Sequence, residues 1–238
     1  MDNWLFLVAH DDRAQHEPRE MPVITISRQF GAAGVPVARV LAERLGLEFL
    51  DRAIVAQVAL RSGIPEAELE MYDERLPTFW QRVAAALTTS SPEVAMPSAE
   101  YAEQMSHLTT HDRLVAITRS VIEEAAEGGN AVIVGRGAAF VLGRKPGTLH
   151  VQLHAAVDAR IRYLMSRVEE IPGEEIPDEK QLRALCVSVD AMRASYVRNL
   201  FNADWLDARN YDLSIDTGRL GVEKTADLIE SAIPAIEQ

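Results

Sequence analysis

A single cysteine, Cys186, stands among the 238 residues. The chain therefore cannot close a disulfide within itself, and it fits a reducing compartment. No apolar run reaches membrane-spanning length, and Trp4 to Ala9 is far too short. The opening residues have neither a positive n-region nor a signal-cleavage pattern. These absences predict a cytoplasmic protein without a membrane partner. Positive charge is the minority: 24 Lys and Arg stand against 36 Asp and Glu, for a formal net charge of −12. A general duplex-binding surface is excluded on that balance and no nucleic-acid partner is expected, although a local basic pocket is compatible with it. None of the six histidines has metal-ligand spacing; His150 and His154 lie in or just after a predicted strand, so no metal site is predicted. Nucleophile-elbow and Ser/His/Asp patterns are missing as well. Nothing in the sequence sets the oligomeric state.

What is present is 47% hydrophobic residues, enough for one substantial core and a small accessory lobe. The most organised stretch is VITISRQFGAAGVPVARVLAERLG, Val23 to Gly46. Its β-branched start, Val23 to Ile26, predicts a buried strand. A turn holding Gly31 and Gly34 follows. Pro36 fits a first helical position, Val37, Val40, Leu41 and Leu45 recur at helical spacing, and Gly46 supplies a stop. Strand, glycine turn and helix is the geometry that aims backbone N–H groups at a phosphate. The full G-x-x-x-x-G-K-[ST] pattern is not met. Counted from Gly34, Gln29 takes the first glycine position, Val35 the lysine position and Pro36 the hydroxyl position. Matched on Gly31, the lysine position becomes Gly34. By spacing alone, an ordinary βα turn and a phosphate cradle fit equally well. The G-x-G-x-x-G fingerprint of a dinucleotide fold is absent too.

Further along, short apolar runs alternate with helical patterns. Strands are predicted at Leu47–Leu50, Ala131–Val134, Leu149–Leu153 and Tyr211–Ile215. Helices are predicted at Ile54–Arg61, Phe79–Leu87, from just after Thr110 or His111 through Glu127, and at Val157–Val168, Lys180–Phe201 and Glu223–Ile233. Such alternation argues for an α/β fold with an open, mainly parallel sheet. Residues 1–21 read as an extended leader and 22–238 as one domain, in which 65–110 form a helical insertion.

Ligands of open parallel sheets gather at the carboxyl ends of the strands, where Gly31, Gly34, Asp51 and Arg136 all emerge. Arg136 lies between Gly135 and Gly137 directly after a buried strand, well placed to fork onto a phosphate. Asp51 is suited either to orienting a substrate group or to capping the next helix. Arg160 and Arg167 share a helix face that can turn toward an anion, whereas Arg162 reads as solvated. Asp190 and Arg193 stand three apart on one helix face, which on its own describes an ordinary ion pair.

Taken together, ITISRQFGAAG, EFLDRAIV, VIVGRGAAFVL, HAAVDARIRYLMSR, VDAMRASYV and YDLSIDTGRLGVE resemble the cytidylate-kinase-like family of P-loop nucleoside monophosphate kinases. They occur in order from Ile24 to Glu223. The resemblance implies a P-loop NTPase-type open parallel five-stranded sheet, covered by helices on both faces, with Val23–Ser27 central. It also implies a monophosphate-side lobe within 65–110 and a lid across 160–200. Ser27, Arg28, Gly31, Ala32, Ala33 and Gly34 would surround the phosphates of ATP, which binds with Mg2+. Asp51 would begin the monophosphate-binding segment, and Arg136 would hold the acceptor phosphate. Arg160 and Arg193 would neutralise the transferred phosphoryl, and Asp190 would bind the substrate sugar.

The implied activity is transfer of the ATP γ-phosphoryl to a (d)CMP-like acceptor, so nucleotides are the expected partners. The chain departs from the family pattern at four places. Gly137 replaces the Asp of the bacterial GRD element, Gln57 replaces an Arg, Cys186 stands where a basic residue is usual, and Val35 follows the glycine turn in place of a basic residue. A nucleotide-binding regulatory module on the same scaffold is the second reading that these departures support.

Overall fold

In the computed structural model, the described residues are 22–51, 115–167 and 177–236. They form a five-stranded sheet in the order β2-β3-β1-β4-β5, with every pairing parallel. The strands are β1 (Val23–Arg28), β2 (Glu48–Leu50), β3 (Ala131–Val134), β4 (Thr148–His154) and β5 (Leu213–Asp216). As the motif order predicts, β1 is central, with β3 and β4 on its two sides. The helices are α1 (Gly34–Leu45), α2 (115–127), α3 (Ala138–Leu142), α4 (Val157–Met165), α5 (Glu179–Phe201) and α6 (Thr217–Ala232).

Alternation along the strands gives each sheet face its own cover. Ile24, Ile26, Val132, Val134, Leu149, Val151 and Leu153 are buried together with Val37, Ala38 and Leu41 of α1 and Ala226 and Ile229 of α6. Val23, Ala131, Ile133 and Leu50 meet Val121 and Ile122 of α2 and Ala138 and Leu142 of α3 on the other face. A third core lies between α4 and α5, and Phe30 from the turn after β1 is part of it.

The second face is also polar where β1 meets β4. Thr25, His150 and Gln152 are buried there. His150 Nε2 lies 2.8 Å from the Gly143 carbonyl, which can only accept, so this nitrogen carries the proton. Nδ1 is then the acceptor for the Thr25 hydroxyl, 2.7 Å away.

Several boundaries differ from expectation for local reasons. α1 begins at Gly34, so Pro36 is its third residue, not its first; the position still needs no N–H donor. Gly46 ends the helix in the left-handed conformation, as predicted. Asp178 and Gln181 cap α5 reciprocally, which starts it at Glu179. The last strand begins at Leu213, because a 3₁₀ turn over Ala208–Asn210 ends at Tyr211. The final helix starts at Thr217 and bends at Gly221, whose φ of 75° interrupts it. α3, five residues long, was not predicted. The leader, the helices at Ile54–Arg61 and Phe79–Leu87, and the 65–110 insertion lie outside the described residues. No described helix is long and apolar enough to cross a membrane.

Candidate active site

The chain leaves β1 at the sheet's centre, and the next strands are added first on one side and then on the other. A crevice outside the carboxyl ends of the strands is expected at such a switch point. Two glycine turns bound it: Gln29 to Gly34 after β1 and Gly135 to Gly137 after β3.

From the end of β1 through the first turn, the carbonyls of Arg28, Gln29, Phe30, Ala32 and Ala33 are tied back to the protein. Arg28 O accepts from Arg193 Nη1 at 2.7 Å, and Phe30 O from Arg160 Nη1 at 3.1 Å. Gln29 O and Ala33 O accept from the N–H groups of Ala32 (3.2 Å) and Val37 (3.1 Å), while Ala32 O accepts from Thr217 Oγ1 (3.0 Å). The N–H groups of Gly31 and Ala33 have no hydrogen-bond partner among the described residues. Gly34 and Val35 open α1, where helix geometry leaves N–H groups without intrahelical acceptors. Gly31 (φ 77°) and Ala33 (φ 52°) are both left-handed, the alternation that gathers successive N–H groups into an anion-binding concavity.

Arg28 crosses from one turn to the other. A Cβ on Gly34 would come within 2.7 Å of Arg28 Cγ, and one on Gly135 within 2.1 Å of Arg28 Nη1. Gly34 leaves room for the stem of this side chain, whereas at Gly135 the mobile guanidinium could shift and it is the φ of 79° that favours glycine. Arg28, Arg136 and Arg193 share a cleft with Ser27, Tyr196 and Trp205, and none of the described residues lining it is acidic. The space open to water-sized groups in the cleft is about 30 Å³.

Ser27 Oγ accepts from Trp205 Nε1 at 2.7 Å and lies 3.3 Å from the Tyr211 hydroxyl. Burial pushes the Tyr211 phenol up to about 12, with the Ser27 hydrogen bond acting in the opposite direction. Beneath the first turn, burial also raises the Cys186 thiol above its ordinary value.

Of the residues singled out in the sequence, Ser27, Arg28, Arg136 and Arg193 meet in the cleft. Gly31, Ala32, Ala33 and Gly34 form the adjoining turn. Arg160 and Asp190 lie behind that turn and bind each other, with Arg160 Nη1 2.6 Å from Asp190 Oδ2. Asp51 follows β2 at the same edge of the sheet, two strands from β1, and is not among the described cleft residues. The predicted lid contains α4 and α5, which pack on each other and on Phe30. Thr217, Trp205 and Tyr196 were not anticipated. Their roles come from contacts across the fold, and no local pattern marks them. Among the described residues, no group of three or more His, Cys, Asp or Glu side chains is placed to hold a metal ion.

The model of the cytidylate kinase-like family matches residues 23–219. The chain belongs to the cytidylate kinase-like family. It is accordingly a nucleotide kinase-like protein. An uncharacterized protein from Eubacterium ventriosum has a similar structure: TM-score 0.62 at 21% identity, covering 90% of this chain and 99% of that one. Shikimate kinases from Acinetobacter baumannii (TM-score 0.47, 16% identity, 91% and 95% covered) and Bacteroides thetaiotaomicron (0.49, 14%, 90% and 99%) also align. A uronate isomerase from Corynebacterium glutamicum is 31% identical over 117 residues, which are 47% of this chain and 20% of that protein. The match thus spans about a fifth of that curated relative's length.

Proposed function

We propose that the protein is an ATP-dependent nucleoside monophosphate kinase that transfers the γ-phosphoryl to a (d)CMP-like acceptor. The observation that carries this reading is the first turn, where the Gln29, Phe30, Ala32 and Ala33 carbonyls are tied away while the N–H groups of Gly31 and Ala33 have no partner among the described residues. Three arginines beside it, in a chain of net charge −12, support an anionic ligand. The turn suits the donor phosphates, and Arg136 on the second turn suits the acceptor phosphate. Arg28 lies between them, where the transferred group would pass. Magnesium belongs to the substrate, held by the ATP phosphates and water.

Phosphoryl transfer depends on alignment and charge neutralisation. The acceptor phosphate is already an anion near neutral pH, so no general base is needed. With Val35 at the usual lysine position, Arg28 supplies the missing cation. The experiment is ADP formation from ATP and magnesium with CMP and the other monophosphates in turn. Arg28→Ala is expected to lower turnover about a thousandfold, the scale of an arginine that stabilises a transferring phosphoryl. Undiminished transfer in Arg28→Ala excludes this role. No transfer by the wild type with any acceptor favours the second reading, a nucleotide-binding regulatory module, to which the absent lysine points.

A further inference from the structure

Phe30 is gripped on both sides of its backbone. Its N–H donates to Asp190 Oδ1 at 2.8 Å, and its carbonyl accepts from Arg160 Nη1 at 3.1 Å. The same Nη1 donates to Asp190 Oδ2 at 2.6 Å, so both carboxylate oxygens are engaged. Arg160 is only 4% exposed, and its Nε is buried without a partner among the described residues. The guanidinium is thus oriented by Phe30 and Asp190 at the expense of its own Nε–H, a costly arrangement in a buried position. The Phe30 ring is set between α4 and α5 with Ile161, Leu164, Leu182 and Leu185. Gly31 lies against α4 so closely that a Cβ would come 3.1 Å from Arg160 Cβ.

A trans peptide is planar, and its C=O and N–H point in opposite directions. Fixing the Phe30 carbonyl therefore fixes the direction of the Gly31 N–H. By the same rule, Thr217, which holds the Ala32 carbonyl at 3.0 Å, directs the Ala33 N–H. These are the two N–H groups within the turn that no described acceptor takes up.

We infer that Arg160 with Asp190, and separately Thr217, are positioning residues that aim the Gly31 and Ala33 N–H groups at the donor phosphates. This rests on the phosphate reading of the turn proposed above. It assigns Arg160 and Asp190 a different task from the phosphoryl and sugar contacts that the family resemblance implies. It also makes the turn travel with α4 and α5, because Phe30 is part of their core.

The test uses the full chain carrying Asp190→Asn, Arg160→Met, Arg160→Lys or Thr217→Val. Calorimetric titration with MgATP, CMP and dCMP is paired with amide hydrogen exchange at Phe30, Gly31 and Ala33. Asp190→Asn and Arg160→Met are expected to weaken MgATP about tenfold or more, as loss of a charged hydrogen bond does, with faster exchange at Phe30. Thr217→Val should weaken MgATP less, and Arg160→Lys should restore part of the loss. The ratio of CMP to dCMP affinity should stay at the wild-type value throughout. A changed ratio in Asp190→Asn with MgATP affinity intact overturns the assignment, because Asp190 then reads the sugar. Wild-type MgATP affinity in Arg160→Met overturns it too. If the wild-type chain binds no MgATP, the phosphate reading itself fails and takes this inference with it.

Discussion

The two glycine turns at the carboxyl edge of the sheet follow neighbouring strands, β1 with Thr25 and Ser27 among its residues and β3 apolar and buried throughout, and they are held in different ways. The turn after β1 is held by side chains from afar: Arg160 and Thr217 each take one of its carbonyls, Asp190 takes an N–H, and Arg193 takes the Arg28 carbonyl at the end of the strand. The turn after β3 is held by backbone bonds and by shape: the Gly135 N–H donates to the Ile26 carbonyl at 3.0 Å, and the Gly135 carbonyl accepts from the Ala138 N–H at 3.0 Å. Gly137, at φ 67°, has no room for a side chain, because a Cβ would sit 2.7 Å from the Phe201 ring. Phe201 stacks on Phe140 at 5.5 Å between centroids, and Phe140 meets the edge of Tyr211 at 6.0 Å. Polar ties leave the first turn with directed donors for a ligand. Aromatic packing makes the second a wall that carries Arg136.

The strongest way to break this comparison is Gly137→Asp. Overpacking against Phe201 is expected to cost about 1–3 kcal/mol, with roughly 1 kcal/mol more for a non-glycine residue at positive φ. Urea unfolding reads the loss, and Phe201→Ala in the same chain should recover part of it. No recovery would mean that Phe201 is not what excludes the side chain. Next in size are Arg136→Met and Arg193→Met, each expected to weaken monophosphate binding by about 1.5–3 kcal/mol, the scale of a charged hydrogen bond. Only Arg193→Met should also loosen the first turn, seen as faster exchange of its amides. Equal behaviour of the two variants would erase the distinction between a wall arginine and an anchoring one.

The smallest effect is alkaline. Tyr211 titrates near 12 when folded, against about 10 when unfolded. A raised phenol contributes stability that is complete below about pH 10 and is lost as pH rises toward 12. Denaturation midpoints above pH 10 should therefore fall less steeply in Tyr211→Phe than in the wild type.

Much of this was legible in the residues. Val23–Ile26 read as a buried strand because it is β-branched throughout, and Ala131–Val134 as a central one because parallel strands covered on both faces are continuous apolar runs. Gly31, Gly135 and Gly137 read as a ligand edge because they follow such strands. Helix α3 escaped notice because five residues are too few to display a helical period. The start of α6 escaped because Gly221 interrupts its pattern. Asp190 and Arg193 looked like a surface ion pair at spacing three, yet each reaches the first turn instead, Asp190 at the Phe30 N–H and Arg193 at the Arg28 carbonyl.

By itself, the sequence determined the parallel α/β architecture and the glycine turns, since apolar periodicity and the backbone demands of glycine act over a few neighbouring residues, while the central place of β1 came from the order of the motifs and the family they resemble. Only the tertiary structure decided how the turn after β1 is aimed. Phe30 meets Asp190 across 160 positions of chain, and Thr217 reaches Ala32 across 185. A hydrogen bond needs its partners placed to within a few tenths of an ångström, and that placement exists only after the sheet has set its register and the helices have packed upon it.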